Sequence, residues 1–315
     1  MKQRILTLLL LLTVVFGANA QLLWKVSGHG LAKPSYIMGT YHLARTAFID
    51  SIPGVKQALA SADQVYGELD MLSLASDPAA GTIVQQMMLP QGESLDHLLT
   101  AEQMTRLNGF LKENLGADFS NPAVAPLKQM KPAAISTQLQ MVLCVHLDPT
   151  FNPNDQFDTY FQKEAQRQQK KVGGLETMQE QMDILFNQQS LQRQAELLMC
   201  LVDHTDYQTD LLRRTIIAFY AQDINAIQQL TEEKEQNSCD STPEEESALL
   251  YTRNARWAED LPAIMQEAST FVAVGAAHLP GPKGLLQLLK QKGYEVTPVK
   301  LTLYFNTYSS LSPND

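Results

Sequence analysis

Twice, far apart in the chain, an apolar run closes on the same junction: residues 35–43 read SYIMGTYHL and residues 271–279 read FVAVGAAHL. A strand that ends on Gly-x-x-His delivers an imidazole just beyond its carboxyl end, which is where ligands bind in a mostly parallel sheet. The leading glycine is expected to turn the backbone sharply off the sheet edge and aim His42 and His278 into one crevice. A chain carrying this junction twice is therefore constrained to an α/β architecture with both strand ends on one face.

The intervening pattern fills in that architecture. Residues 22–27 (LLWKVS) form a short strand, 28–34 carry turn chemistry, and 36–38 form a second strand in a hairpin with the first. Ile52-Pro53-Gly54 opens a helix over 55–60, with Pro53 at an early helical position, and 64–69 (QVYGEL) is the next strand. Strand, helix and strand of this length form a βαβ unit with a parallel pair. From about 72 to 169 the chain is rich in Ala, Gln, Leu and Met. With Ser94 as an N-cap and an apolar helical stretch over 133–145, this is a large helical insertion. A brief strand over 170–175, helices over 181–236 and a polar break at 237–243 follow. A helix then starts at Pro243 with three acids in its first turn and runs to 260. Strand 271–274, helix 283–292 and strand 294–299 repeat the opening grammar. The fold class expected is α/β, with a mixed, mostly parallel sheet, a single domain over 21–315, and the site at the carboxyl ends of the strands.

The first twenty residues stand outside that fold. Lys2 and Arg4 precede an apolar run over 5–16, and Ala18-Asn19-Ala20 is a small-x-small cleavage site. That is the layout of an export signal, with mature protein from Gln21 and no integral membrane segment after its removal. The formal charge of −10, more negative still without Lys2 and Arg4, argues against nucleic acid as a partner. Three cysteines are too few for a disulfide scaffold; either Cys200 and Cys239 pair and leave Cys144 buried, or all three are free.

Two further strand ends carry acids: Glu68 and Asp70 at the end of 64–69, and Glu176 after 170–175. Two imidazoles and at least two carboxylates at one face suit a divalent ion such as Mn, Co, Fe or Zn better than a thiolate-bound metal. Asp70 reads better as a cap of the following segment. The chain has no His-Glu-x-x-His, Gly-x-Ser-x-Gly, P-loop or Cys-x-x-Cys motif. Arg253 either holds a substrate carboxylate or oxyanion, or is a solvated helix-surface residue. Asn254 reads as a backbone partner and Trp257 as core. Tyr41 either donates to a reaction intermediate or stacks into the core. His29, His97 and His146 read as structural or solvated, and Asp203-His204-x-Asp206 with Asp210 resembles a loose metal cluster but on a long helix reads better as a polar face.

These features together resemble the TraB/GumN/PrgY family, which includes Tiki-like metalloproteases. The resemblance rests on LWKVSG and SYIMGTYHL, the acid of GELD, GGLET followed by EQ, the segment Arg253-Asn254-Arg256-Trp257, and FVAVGAAHLPGPKGLLQLLKQKGYEV. It implies a metal-dependent hydrolase with His42, Glu68, Glu176 and His278 as metal ligands and Glu68 and Arg253 as catalytic groups. Glu68 is the first choice of base, and Glu176 is able to exchange roles with it. The implied cofactor is a divalent metal, Mn or Co ahead of Zn; the implied substrate is a peptide or protein, and the implied location the periplasm. Two alternatives use the same residues: a non-catalytic protein binding metal, haem or a small ligand, and a metal-free esterase-like hydrolase with His42 as base beside Glu68.

Overall fold

The structure, a computed structural model, describes residues 21–74 and 80–300. The expected export signal lies outside the described residues. Six strands form one sheet: β1 (Leu23–Ser27), β2 (Ser35–Thr40), β3 (Gln64–Gly67), β4 (Lys171–Gly174), β5 (Thr270–Gly275) and β6 (Glu295–Pro298), in the order β4-β3-β5-β2-β1-β6. The hairpin of β1 and β2 is antiparallel, with Leu23 opposite Met38; it turns through Gly28, His29 and Gly30, all at positive φ. β6 is antiparallel to β1, while β2, β5, β3 and β4 run parallel to one another. The sheet is mixed and mostly parallel, as the sequence pattern implied.

One expectation about its order needs correction. β2 and β3, joined through the helix Val55–Ser61, are parallel but not adjacent, because β5 lies between them. Phe271, Val272, Ala273 and Val274 are all buried, so β5 is apolar on both faces and stable only at the centre of a covered sheet. Pro53 also falls outside its helix, which is entered through Gly54 at φ 76.

Helices cover the sheet and build a second core. Leu107, Leu111, Ile135, Leu139 and Leu198, from the helices Ala101–Leu115, Pro132–Leu147 and Leu191–Asp203, pack together away from the strands. The last helix of the segment between β3 and β4, Phe157–Arg167, instead belongs to the sheet core, where Phe161 meets Phe271 at 4.9 Å. This docking brings the first turn of that helix to the strand ends. The helix expected from Pro243 onward is interrupted: Pro243–Glu246 and Thr252–Glu267 are joined by one π-helical turn, Ser247–Tyr251, in which Thr252 N–H donates to Ser247 O. Cys200 and Cys239 form a disulfide and Cys144 is free and buried, which resolves the two cysteine readings. Among the described residues no helix is long and apolar enough to cross a membrane.

Candidate active site

The four parallel strand ends present, in spatial order, Glu176 after β4, Glu68 after β3, His278 after β5 and His42 after β2. Ladder bonds run past the formal ends of β3 and β4, since Leu175 N–H donates to Gly67 O and Glu176 N–H to Glu68 O, both at 3.0 Å. The two glutamates are thus held side by side.

The glycines of the twin motifs serve a purpose other than the one expected. Neither Gly39 nor Gly275 adopts positive φ. A Cβ on Gly39 would lie 2.9 Å from Leu279 Cδ1 and 3.1 Å from Ala276 Cβ, and one on Gly275 would lie 3.3 Å from Glu68 Oε1. What they provide is room, not a backbone turn. Gly39 of the first motif is the surface on which the turn of the second motif packs, so the two junctions are one construction.

His278 is 4 % exposed and lies against Trp257 with ring centroids 4.5 Å apart. Asn254 Nδ2 donates to the carbonyls of His278 (3.2 Å) and Lys283 (2.9 Å), which fixes its amide so that Oδ1 faces His278 Nδ1 at 2.7 Å. Nδ1 therefore carries the proton, and Nε2 points its lone pair toward Glu68 Oε1 at 3.8 Å and Arg253 Nη1 at 3.2 Å. Burial, outweighing the pull of Glu68, lowers the His278 pKa to about 4, so the ring is neutral at pH 7.

His42 is the more open twin, with 58 % of its side chain exposed. Its Nδ1 lies 3.2 Å from Asp158 Oδ2, a buried oxygen with no aligned hydrogen-bond donor, while Asp158 Oδ1 accepts from Thr40 Oγ1 at 3.3 Å. The Asp158 carboxylate raises the His42 pKa to about 9 against the opposing effect of burial. One imidazole is thus backed by a neutral amide and the other by a carboxylate.

Between the glutamates lies Arg253, buried, with all five N–H groups engaged. Nε donates to Glu176 Oε2 at 3.1 Å, Nη1 to Leu249 O at 3.0 Å with His278 Nε2 beside it, and Nη2 to both Glu68 Oε2 and Glu176 Oε1. The guanidinium stacks over Trp257 at 4.7 Å. It is neither a solvated surface residue nor, in this arrangement, free to take a substrate group. Glu176 also accepts from Arg256 Nη2 at 2.9 Å and Gln181 Nε2 at 3.1 Å, and its side chain is 0 % exposed. Its four lone-pair directions are filled, so the expected role of Glu176 as metal ligand or base gives way to that of an anchor for two arginines. Burial would raise the Glu68 carboxyl, but the charges of His278, Arg253 and His42 outweigh it and hold the group well below the usual carboxylate range. With His278 neutral, Arg253 is the closest cation that sustains this at pH 7. Glu68 Oε1 also accepts from Gly275 N–H at 2.8 Å.

The implied metal can be tested against this donor set. Among the described residues, the one group of His, Cys, Asp and Glu whose ligand atoms already lie within 4.8 Å of one another is His204, Glu235 and Cys239, so the strand-end set is not drawn together to that extent. Its chemistry nevertheless fits at three positions. His278 and His42 each have Nδ1 backed by a hydrogen-bonding or charged partner, the arrangement that ligating histidines use; His278 Nε2, which faces Arg253 Nη1 at 3.2 Å, would exchange that contact for the ion, and Glu68 adds an oxygen beside it. Glu176 does not fit, for the reason given.

Beside the cluster runs a groove of about 590 Å³ with Glu180, Asp183, Ser247, Thr252, Arg253 and Arg256 among its lining, and a smaller, mostly apolar pocket of about 180 Å³ lies between Tyr251 and the Pro280–Lys283 turn that follows His278. Asp70 caps the segment after β3, accepting from Leu72 N–H and Ser73 N–H. Tyr41 packs on Phe219 at 5.5 Å and burial raises its pKa. His29 packs on Tyr294, His97 pairs with Glu93, and His146 is exposed. Asp203 pairs with Arg106 and Asp210 with Arg213 and Arg214. Sequence reasoning missed Asp158, which belongs to no motif, and the bridging role of Gln181, the last residue of the quoted GGLET and EQ pattern, which donates to Glu176 Oε1 and to Glu68 Oε2 at 3.2 Å. Arg256 was legible only as part of the segment Arg253-Asn254-Arg256-Trp257 on which the family resemblance rests.

The sequence profile of the TraB/PrgY/gumN family matches residues 22–298. Among curated proteins the chain is 28 % identical to "Metalloprotease TIKI2" of Danio rerio, over 87 % of this chain and 60 % of that protein. It is 27 % identical to "Metalloprotease TIKI1" of Homo sapiens, over 84 % and 59 %, and 26 % identical to "Metalloprotease TIKI homolog" of Nematostella vectensis, over 85 % and 65 %. The chain thus spans about three-fifths of the length of the curated relatives it matches. No solved structure matches it significantly.

Proposed function

Because this chain belongs to the TraB/PrgY/gumN family, we propose that it is a metal-dependent hydrolase that cleaves peptide bonds, exported on residues 1–20 to the periplasm. The observation that carries the reading is the pair His278 and His42 on adjacent strand ends, with Nδ1 backed by Asn254 in the one and by Asp158 in the other, and with Glu68 beside His278. His278, His42 and Glu68 would hold the ion. A bound divalent metal, Mn or Co ahead of Zn, supplies polarisation of the scissile carbonyl and acidification of the attacking water.

The chain's own groups supply the rest. Glu68 is ionised at neutral pH and largely withdrawn from solvent; its lowered pKa makes it a weak base, sufficient only for a water that a bound cation would acidify. Arg253 fixes its rotamer through Oε2, which leaves Oε1 toward His278. The groove along Arg253 and Arg256 offers room for an extended chain, and the pocket beside Tyr251 suits an apolar substrate side chain. In the metal-free alternative His42 would be the base beside Glu68, and the Asp158 carboxylate against its Nδ1 works against that role by favouring the protonated ring. A non-catalytic binder of metal, haem or a small ligand would use the same crevice.

The test is to strip the purified protein with a chelator, measure its metal content, and assay a quenched peptide library with Mn or Co added back. Cleavage should return with metal and be lost in His42→Ala, whose largely exposed ring can be removed without opening a core cavity. A wild-type protein that holds metal and cleaves nothing would overturn the hydrolase reading and leave the binder.

A further inference from the structure

The compact ligand cluster noted above lies outside this site. Cys200 and His204 are one turn apart at the end of the helix Leu191–Asp203, and Glu235 and Cys239 are four residues apart in the loop after the helix Ile224–Thr231. His204 Nδ1 meets Glu235 Oε2 at 2.7 Å, and Cys239 Sγ, bonded to Cys200 Sγ, lies within 4.8 Å of the ligand atoms of both. We propose that reduction of the Cys200–Cys239 disulfide opens a tetrahedral site in which Cys200, Cys239, His204 and Glu235 bind a zinc-type divalent cation, and that closing the disulfide expels it.

A disulfide sulfur is not a thiolate and ligates poorly, so the oxidised protein has two good donors where the reduced one has four. Reduction adds two electrons and two protons to the S–S bond. With a phosphine as reductant, the phosphine leaves as its oxide, carrying the oxygen of a water. The cation then displaces both thiol protons to solvent and binds two thiolates, an imidazole and a carboxylate. Two thiolates with a nitrogen and an oxygen favour zinc over manganese or calcium. Metal–ligand bonds of roughly 2.0–2.3 Å place tetrahedral ligand atoms roughly 3.3–3.8 Å apart, so the two sulfurs, once unbonded, and the His204–Glu235 pair, now at 2.7 Å, move apart to admit the ion, while Cys239 Sγ closes on both from within 4.8 Å.

The loop holds this geometry without the disulfide. The Asp240 carboxylate accepts from the N–H groups of Glu235 and Gln236, both at 2.7 Å, and of Asn237 at 3.3 Å, while Asn237 Oδ1 accepts from Cys239 N–H at 2.8 Å. Arg193, on the helix that carries Cys200, donates to Ser238 O at 2.5 Å and Asp240 O at 2.8 Å and is itself held by Glu245 and Glu196. Cleaving the S–S bond therefore frees two thiols without freeing the backbone that carries them. Cys239 is partly exposed, so a reductant can reach it.

The test uses the purified protein, oxidised or reduced under inert gas with a phosphine, titrated with Co(II) and then competed with Zn(II). Reduced protein should develop thiolate-to-cobalt charge-transfer absorption that the oxidised protein lacks. The strand-end site contains no sulfur, so this band reports the new site whether or not the hydrolase reading holds. His204→Ala and Glu235→Ala retain both cysteines; oxidised, they should fold as wild type, and reduced, they should bind at least about tenfold more weakly. The absence of the band in reduced wild type would overturn the proposal. So would a band of undiminished affinity in both variants, which is what a dithiol acting alone, folded or unfolded, would give.

Discussion

His278 gives its Nδ1 proton to Asn254 Oδ1 across 2.7 Å, and this contact decides which ring nitrogen faces the crevice. Replacing Asn254 with Leu removes the partner while keeping a side chain of similar size. The His278 ring is then free to change tautomer and to rotate. The expected result is a loss of roughly 10–100-fold in divalent-metal affinity, read by competition with a chelating dye. An unchanged affinity would mean that Trp257 packing alone orients the ring.

The two histidines should shape the pH dependence of metal-free stability in opposite directions. An unfolded histidine titrates near its ordinary value of about 6.5. His278, lowered to about 4, binds fewer protons folded than unfolded between those values, so stability rises with pH from about 4 to 6.5. His42, raised to about 9, contributes stability that is complete below about pH 6.5 and lost as pH climbs to about 9. Urea denaturation across this range should show a maximum near pH 6.5, and Asp158→Asn should flatten the alkaline limb. NMR titration of His42 in that variant should show its pKa falling toward the ordinary value.

Arg253→Met removes the guanidinium that pairs with Glu68 and Glu176 at once. Glu176 keeps Arg256, but Glu68 is left as a buried carboxylate without a cation against it. Breaking a buried pair in this way costs about 3–5 kcal/mol, measurable in chemical denaturation. Arg253→Lys should recover only part of it, because an ammonium has three donors where five are engaged.

Glycine contacts give a paired prediction. Gly39→Ala forces a methyl against Ala276 and Leu279, and should cost about 1–3 kcal/mol and weaken metal binding by displacing the turn that carries His278. Gly109→Ala, in the helix Ala101–Leu115 with nothing within 4 Å of the added carbon, should stabilise by about 0.5–1 kcal/mol and leave metal binding alone. Calorimetric melts and metal titrations of the two variants check both halves.

The strand ends were legible because each announces itself locally: an apolar run, a glycine, then a histidine or an acid. The sheet class followed from them. The position of β5 between β2 and β3 was not legible, since no residue in a strand names its neighbours. The saturation of Arg253 was hidden for a similar reason: its partners Glu176 and Glu68 are 77 and 185 residues away in the chain. Asp158 reaches Thr40 across 118 residues from a segment with no motif. The glycines of the twin motifs were recognised but misread, because crowding by another element leaves no trace in the local sequence.

The π-helical turn Ser247–Tyr251 sits between two fixed ends of one helical segment: Glu245, tied to Arg193, and Arg253, tied to the strand-end acids. An α-helix advances about 100° per residue, and one wide turn absorbs about one residue of that advance. Length here is therefore asymmetric. Dropping one residue from 247–251 would leave an unbroken α-helix with both ends still in phase, at the loss of little beyond the Leu249 carbonyl under Arg253. Adding one would swing Arg253, Asn254 and Trp257 together by about 100° and dismantle the crevice while every side chain in it remained intact.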